Sequence, residues 1–224
     1  ARTDPLGDRG TGQGARLAGL SFDTFSRGHE KARLGESPCW DPERNEIWWV
    51  DVAGSRLFRT AVASFDTQSW HTPELPGFVS LRASNAPVVG MQTGIFSFDP
   101  VAGTFQRLLP HDARDSRFND ATVDAGGRLW ASTMALQAEA GRAAIHLVRP
   151  DLQLDTVVDG LAIPNGMAVD LKRGRLLYSD SHPRSQRIWS MTLSEDGRPN
   201  GGAVPFASTE SLPGRPDGAQ QGQL

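Results

Sequence analysis

The chain has 224 residues, with 23 basic and 26 acidic side chains giving a net charge of −3 and no run of one sign. That balance excludes recognition of nucleic acid or a membrane surface by charge, and the single cysteine, Cys39, excludes an intrachain disulfide and a Cys-x-x-Cys metal site. No apolar run approaches the roughly 20 residues of a membrane-spanning helix and no charged-then-apolar leader opens the sequence, so a cytoplasmic protein is expected.

Residues 1–18 are glycine-rich with almost no large apolar side chain and read as a flexible tail, leaving 19–224 as one domain. Strands are expected at 20–25 and in a hairpin of 47–51 with 55–59 that turns at Ala53-Gly54. Segments 79–82, 88–91 and 94–99 follow, with Gly or Pro at the breaks. Next come a hairpin within 117–134 turning at Gly126-Gly127, a strand at 144–148, a hairpin within 167–180 and a strand at 187–191. Only 135–144 has helical character, and Gly141 interrupts it.

The stretches 41–51, 124–132 and 170–180 share one grammar: an Asp opens a polar turn, and an apolar, aromatic strand follows and ends on a small or acidic residue. The strands expected to close successive units align at Leu57, Ile95, Ile145 and Ile188, a spacing of roughly 40 to 50 residues. Four short strands in each such period specify an all-β propeller. Trp48, Trp49, Trp130 and Trp189 are read as packing between neighbouring sheets, and Cys39 as a buried structural thiol.

Arg117-Phe118-Asn119-Asp120 concentrates a guanidinium, a carboxamide and a carboxylate. Two readings are open: a surface ion pair from Arg117 to Asp115 or Asp120 with an Asx turn behind it, or Arg117 and Asn119 meeting the oxygens of a ligand. Asp120 is assigned to the turn. His182, before Pro183, is read as an exposed loop side chain near a pocket rim.

With these four residues, three further motifs occur in order: 34–41 (LGESPCWD), 163–168 (IPNGMA) and 215–218 (RPDG). Together they make the chain, from about residue 20 onward, resemble the gluconolactonase and regucalcin-like family, also called the senescence-marker-protein family. The resemblance implies a six-bladed β-propeller of four-stranded antiparallel blades. It also implies a divalent cation held at the axis by Glu36, Asn165 and Asp217, and substrate bound by Arg117 and Asn119. Asp217 would further serve as general base for opening a sugar lactone to its aldonic acid. Without the resemblance, Glu36 reads as a loop carboxylate, and Asn165-Gly166 and Asp217-Gly218 as turns. Two carboxylates and a carboxamide form an all-oxygen set suited to Ca²⁺, Mg²⁺ or Mn²⁺ and acceptable to Zn²⁺.

Two departures from the family stand out. Residues 135–138 read Ala-Leu-Gln-Ala where many relatives carry acidic residues, so substrate preference does not transfer. The chain ends seven residues after Asp217, and the family continues for about a further blade and a half, so a C-terminally truncated ring of between four and five blades is expected. The expected partner is a small sugar lactone, with no nucleic acid or membrane and a monomer or weak oligomer. The alternatives are a phosphotriesterase or arylesterase on the same scaffold, a non-catalytic calcium-binding propeller, or an inactive truncated paralogue.

Overall fold

A computed structural model describes residues 31–82, 86–111, 115–124 and 126–219. The tail at 1–18 and the strand expected at 20–25 lie outside the described residues. The fold is carried by the unit Ala32–Leu224.

Among the described residues sixteen strands form four antiparallel sheets of four, each in sequence order. Blade 1 is β1 (Gly35–Asp41), β2 (Glu46–Asp51), β3 (Arg56–Ala61) and β4 (Thr67–His71). Blade 2 is β5 (Phe78–Leu81), β6 (Pro87–Gly90), β7 (Gly94–Asp99) and β8 (Thr104–Pro110). Blade 3 is β9 (Ser116–Val123), β10 (Leu129–Ala135), β11 (Ala143–Val148) and β12 (Leu154–Leu161). Blade 4 is β13 (Pro164–Asp170), β14 (Arg175–Asp180), β15 (Arg187–Thr192) and β16 (Val204–Ser208). Among the described residues the only helical element is the single 3₁₀ turn Leu171–Arg173. The stretch 135–144 is not helix: it is the end of β10, a turn over 136–142 and the start of β11. The strands aligned through Leu57, Ile95, Ile145 and Ile188 are the third of each blade, so every unit closes one strand later than the sequence suggested.

Side chains alternate across a strand, and here both faces of blades 2 and 3 meet a neighbour. In β6, Val89 enters the core between blades 1 and 2 with Trp48, Val50 and Phe98, while Val88 enters the core between blades 2 and 3 with Phe118 and Ala131. In β10, Ala131 serves that second core and Trp130 the third, with Met167, Leu176 and Tyr178 of blade 4. Burial on both faces is why these strands read as continuous apolar runs. Trp48 and Trp130 fill inter-blade cores as expected, and Trp189 packs on the third. Trp49, on the opposite face of β2, stacks on Phe58 at 4.0 Å between ring centroids.

The three repeats of the acidic turn are the hairpins that join the first and second strands of blades 1, 3 and 4. Asp41 accepts the N–H groups of Glu43 and Arg44 and pairs with the Arg44 guanidinium. Asp170 does the same with Arg173 and adds Arg175. Asp124 accepts four bonds, from Gly126 N, Arg128 N, Arg128 Nε and Trp130 Nε1. Gly77 holds blades 2 and 3 together by close approach: a Cβ there would stand 1.9 Å from the Phe118 carbonyl oxygen.

Candidate functional site

The first strand of each blade faces a groove of about 530 Å³, lined by Glu36, Arg117, Asn119, Asp120 and Asn165 among others. Three of those four strands are bulged, each at the residues the sequence singled out. In β1, Glu36 pairs with Val50 and Cys39 with Trp48, so Ser37 and Pro38 face Trp49 alone. In β9, Phe118 pairs with Thr133 and Ala121 with Ala131, so Asn119 and Asp120 face Ser132 alone. In β13, Asn165 pairs with Ser179 and Ala168 with Leu177, so Gly166 and Met167 face Tyr178 alone. The register of β5 with β6 has no such break, and blade 2 supplies none of the predicted site residues. Two residues against one bends the strand and re-aims its side chains, the recurrent use of bulges beside binding sites.

Local chemistry permits each bulge. Gly166 takes φ +58° at no steric cost, whereas Ser37 holds φ +54° against the usual preference of an L-residue. The Ser37 hydroxyl is fixed by blade 2, where Oγ accepts the Val79 N–H at 3.0 Å and lies 3.2 Å from the Val79 oxygen.

The electrostatics are those of acids crowded around a buried cation. Burial raises the Glu36 carboxyl above its ordinary value, Asp217 and Asp120 push it the same way, and Arg117 opposes them. Burial lowers the Arg117 guanidinium, and the Glu36 charge works against that shift. Arg117 also donates to the Phe118 oxygen at 2.8 Å, which fixes its stem. Asn119, on the groove lining, donates from Nδ2 to the Pro164 oxygen at 3.1 Å.

Asp217 arrives on a loop, not a strand. The Pro216 carbonyl receives the Ser181 hydroxyl, Arg215 donates to the Ser181 oxygen, and Asp217 Oδ1 accepts the Gly218 N–H at 3.0 Å. The Asp217 carbonyl oxygen would stand 2.6 Å from a Cβ at position 166, so this loop lies directly against the β13 bulge. Asn165 Oδ1 accepts the Gly166 N–H at 3.0 Å. Among the described residues no three His, Cys, Asp or Glu side chains stand close enough to hold an ion by themselves. The candidate set has two carboxylates, Glu36 and Asp217, with the Asn165 amide oxygen as third donor. All are oxygens, and the mutual repulsion of the acids is what a divalent cation relieves, so the donors fit the group in chemistry.

Asp120 is the residue that sequence reasoning misplaced. It lies within β9, not in a turn, and its carboxyl is raised first by burial, with Asp217 adding to the shift. The N–H groups of Ala121, Met167 and Gly166 pull it back down. Cys39 lies on the groove wall against the core of blades 1 and 2, and burial raises its thiol, as suits an unreactive side chain. His182 is half-buried in the loop after β14, its N–H on Asp180 Oδ1.

Residues 34–221 match the family model described as the SMP-30/Gluconolactonase/LRE-like region. A 6-deoxy-6-sulfogluconolactonase of Pseudomonas putida is 28% identical over 188 residues, which cover 83% of this chain and 64% of that protein. Regucalcin of Gallus gallus is 30% identical over 161 residues, covering 69% of this chain and 54% of the relative. The chain thus spans less than two thirds of the length of either protein. A calcium-binding protein, regucalcin, from Agrobacterium tumefaciens superposes with a TM-score of 0.79 at 23% identity, over 84% of this chain and 64% of that one. A gluconolactonase from Xanthomonas campestris gives 0.72 at 20% identity, over 85% and 67%. The fold, the motif order and the family match agree, and the chain belongs to the SMP-30/gluconolactonase/LRE-like family.

Proposed function

We propose that this chain carries the site of a metal-assisted lactonase that hydrolyses a sugar lactone to its aldonic acid. The observation that supports it best is the convergence of three bulged inner strands on one groove, to which they bring Glu36, Arg117, Asn119 and Asn165. Relatives named lactonases give the reaction class.

Glu36, Asn165 and Asp217 would hold a divalent cation, Ca²⁺ or Zn²⁺ first, which supplies polarisation of an ester carbonyl. Arg117, half-buried and set by its bond to the Phe118 oxygen, offers N–H donors where negative charge grows on the carbonyl oxygen. Asn119 Oδ1 accepts from a sugar hydroxyl and so orients the ring. Asp217 takes the proton of the attacking water as the new C–O bond forms. The ring C–O bond then breaks, and the ring oxygen leaves as a hydroxyl by taking back the proton held on Asp217, which restores its carboxylate.

The test is pH-stat hydrolysis of glucono-δ-lactone and a small lactone panel, after EDTA and after each of Ca²⁺, Zn²⁺, Mn²⁺ and Mg²⁺ is restored. Turnover above the spontaneous rate that EDTA abolishes and Asp217→Ala lacks supports the reading. A folded chain that stays at the spontaneous rate with every metal and lactone refutes it.

A further inference from the structure

The bulge in β13 leaves the N–H groups of Gly166 and Met167 without ladder partners on β14, and a buried N–H needs an acceptor. Asn165 Oδ1 accepts the Gly166 N–H within the strand at 3.0 Å, and the acceptor for Met167 comes from the next blade. Asp120 Oδ2 lies 3.4 Å from Met167 N, and the Gly166 N–H also faces this carboxyl, while Oδ1 takes the adjacent Ala121 N–H at 2.8 Å. The backbone of Asp120 is itself pinned within blade 3, because its N–H donates to Ser132 Oγ at 3.1 Å. The other side of Asn165 is held by the same blade. The Pro164 carbonyl accepts Asn119 Nδ2 at 3.1 Å and lies 3.0 Å from Ser132 Oγ. Asn165 is therefore bracketed, at the residue before it and the two after it, by Asn119, Asp120 and Ser132.

We propose that Asp120 is a positioning residue: its carboxylate, reaching across from blade 3, holds open the β13 bulge that turns Asn165 into the groove. An Asx turn would satisfy only the N–H two residues after the aspartate. This carboxylate instead spans 47 residues of sequence to the Met167 N–H, one of the two residues that the bulge sets against Tyr178 alone. Its consequence for cation affinity rests on the site proposed above, but its effect on the bulge does not.

The test compares wild type with Asp120→Ala and Asp120→Asn, the second keeping one acceptor oxygen in the same volume. In metal-free protein, hydrogen exchange at the Gly166 and Met167 amides should accelerate about tenfold or more in Asp120→Ala and by less in Asp120→Asn. Exchange at Leu176 and Tyr178 in the neighbouring β14 should stay as in wild type. Unchanged exchange at Gly166 and Met167, or a rise shared equally by β14, overturns the assignment. Calorimetric Ca²⁺ titration of the same proteins should show about tenfold weaker binding in Asp120→Asn. Equal Ca²⁺ affinity in wild type and Asp120→Asn overturns the link from Asp120 to Asn165. A wild type that binds no Ca²⁺ removes the cation site instead, and the amide exchange then decides the role of Asp120 alone.

Discussion

Asp124→Asn is the sharpest probe of the repeated turn that joins the first two strands of a blade. Asp124 Oδ1 accepts Gly126 N at 2.9 Å and Arg128 N at 3.1 Å, and Oδ2 accepts Arg128 Nε at 2.7 Å and Trp130 Nε1 at 3.1 Å. Both carboxylate oxygens are thus fully used. Asparagine fits the space but places an NH₂ against one of those two donor pairs, whichever way the amide turns, and it removes the charge that Arg128 answers. Breaking one partner of a buried ion pair costs about 3 to 5 kcal/mol, and the Arg128 side chain keeps 15% exposure, so about 3 kcal/mol is expected. With a urea m-value of about 2 kcal/mol/M the midpoint should fall by about 1.5 M at unchanged slope. A loss under about 1 kcal/mol would show that the turn is formed without the carboxylate and that the shared Asp is compositional coincidence.

Three further outcomes follow from the packing. His146 is buried between Thr133 Oγ1 and Thr156 Oγ1, and burial with the nearby His111 lowers its pKa from 6.5 to about 4. The unfolded chain binds the proton more readily, so stability is complete above pH 6.5 and about 3 kcal/mol is lost as pH falls toward 4, a slope that His146→Gln should abolish in acid titrations of the urea midpoint. Gly77→Ala drives a Cβ into the Phe118 carbonyl and within 2.9 Å of Asn119 N, and should cost more than ~2 kcal/mol in thermal unfolding while shifting the Asn119 amide resonance. A silent Gly77→Ala would contradict the close approach of blades 2 and 3. Because burial and its acidic neighbours raise the Glu36 carboxyl, cation binding must displace a proton at pH values where a free glutamate would already be ionised. Affinity should therefore fall as pH falls through that range, and calorimetry in two buffers of different ionisation enthalpy should detect the released proton.

Much of the blade was legible because its first three strands are buried on one or both faces. Trp48 and Val50 in the Ile47–Val50 run, and Leu57, Ile95 and Ile145 in the alignment, are direct traces of inter-blade packing. The outer strands β4, β8, β12 and β16 left no such trace. Thr67-Gln68-Ser69-Trp70-His71 is mostly polar, and β16 is exposed along its whole length, with Phe206 covered only by the Arg175 guanidinium at 4.9 Å. Their pairing is set by the strand before them, not by a pattern of their own. In the site, Asn165-Gly166 carried a local signal because a glycine at φ +58° suits a bulge, and Ser37-Pro38 carried less. Asp120 was read as a turn because Asn-Asp is a common turn pair. Its partners are the N–H groups of another blade, so no window of neighbouring residues could reveal its role.

The central claim is that the bulged strands β1 and β13 and the loop at Asp217 aim three oxygen donors at one cation. Anomalous diffraction from crystals soaked in Mn²⁺ tests it most directly. A single peak about 2.0 to 2.4 Å from carboxylate oxygens of Glu36 and Asp217 and from Asn165 Oδ1 is the predicted result. A peak at the outer acidic turns of Asp41, Asp124 or Asp170, or no peak in well-ordered crystals, would contradict it.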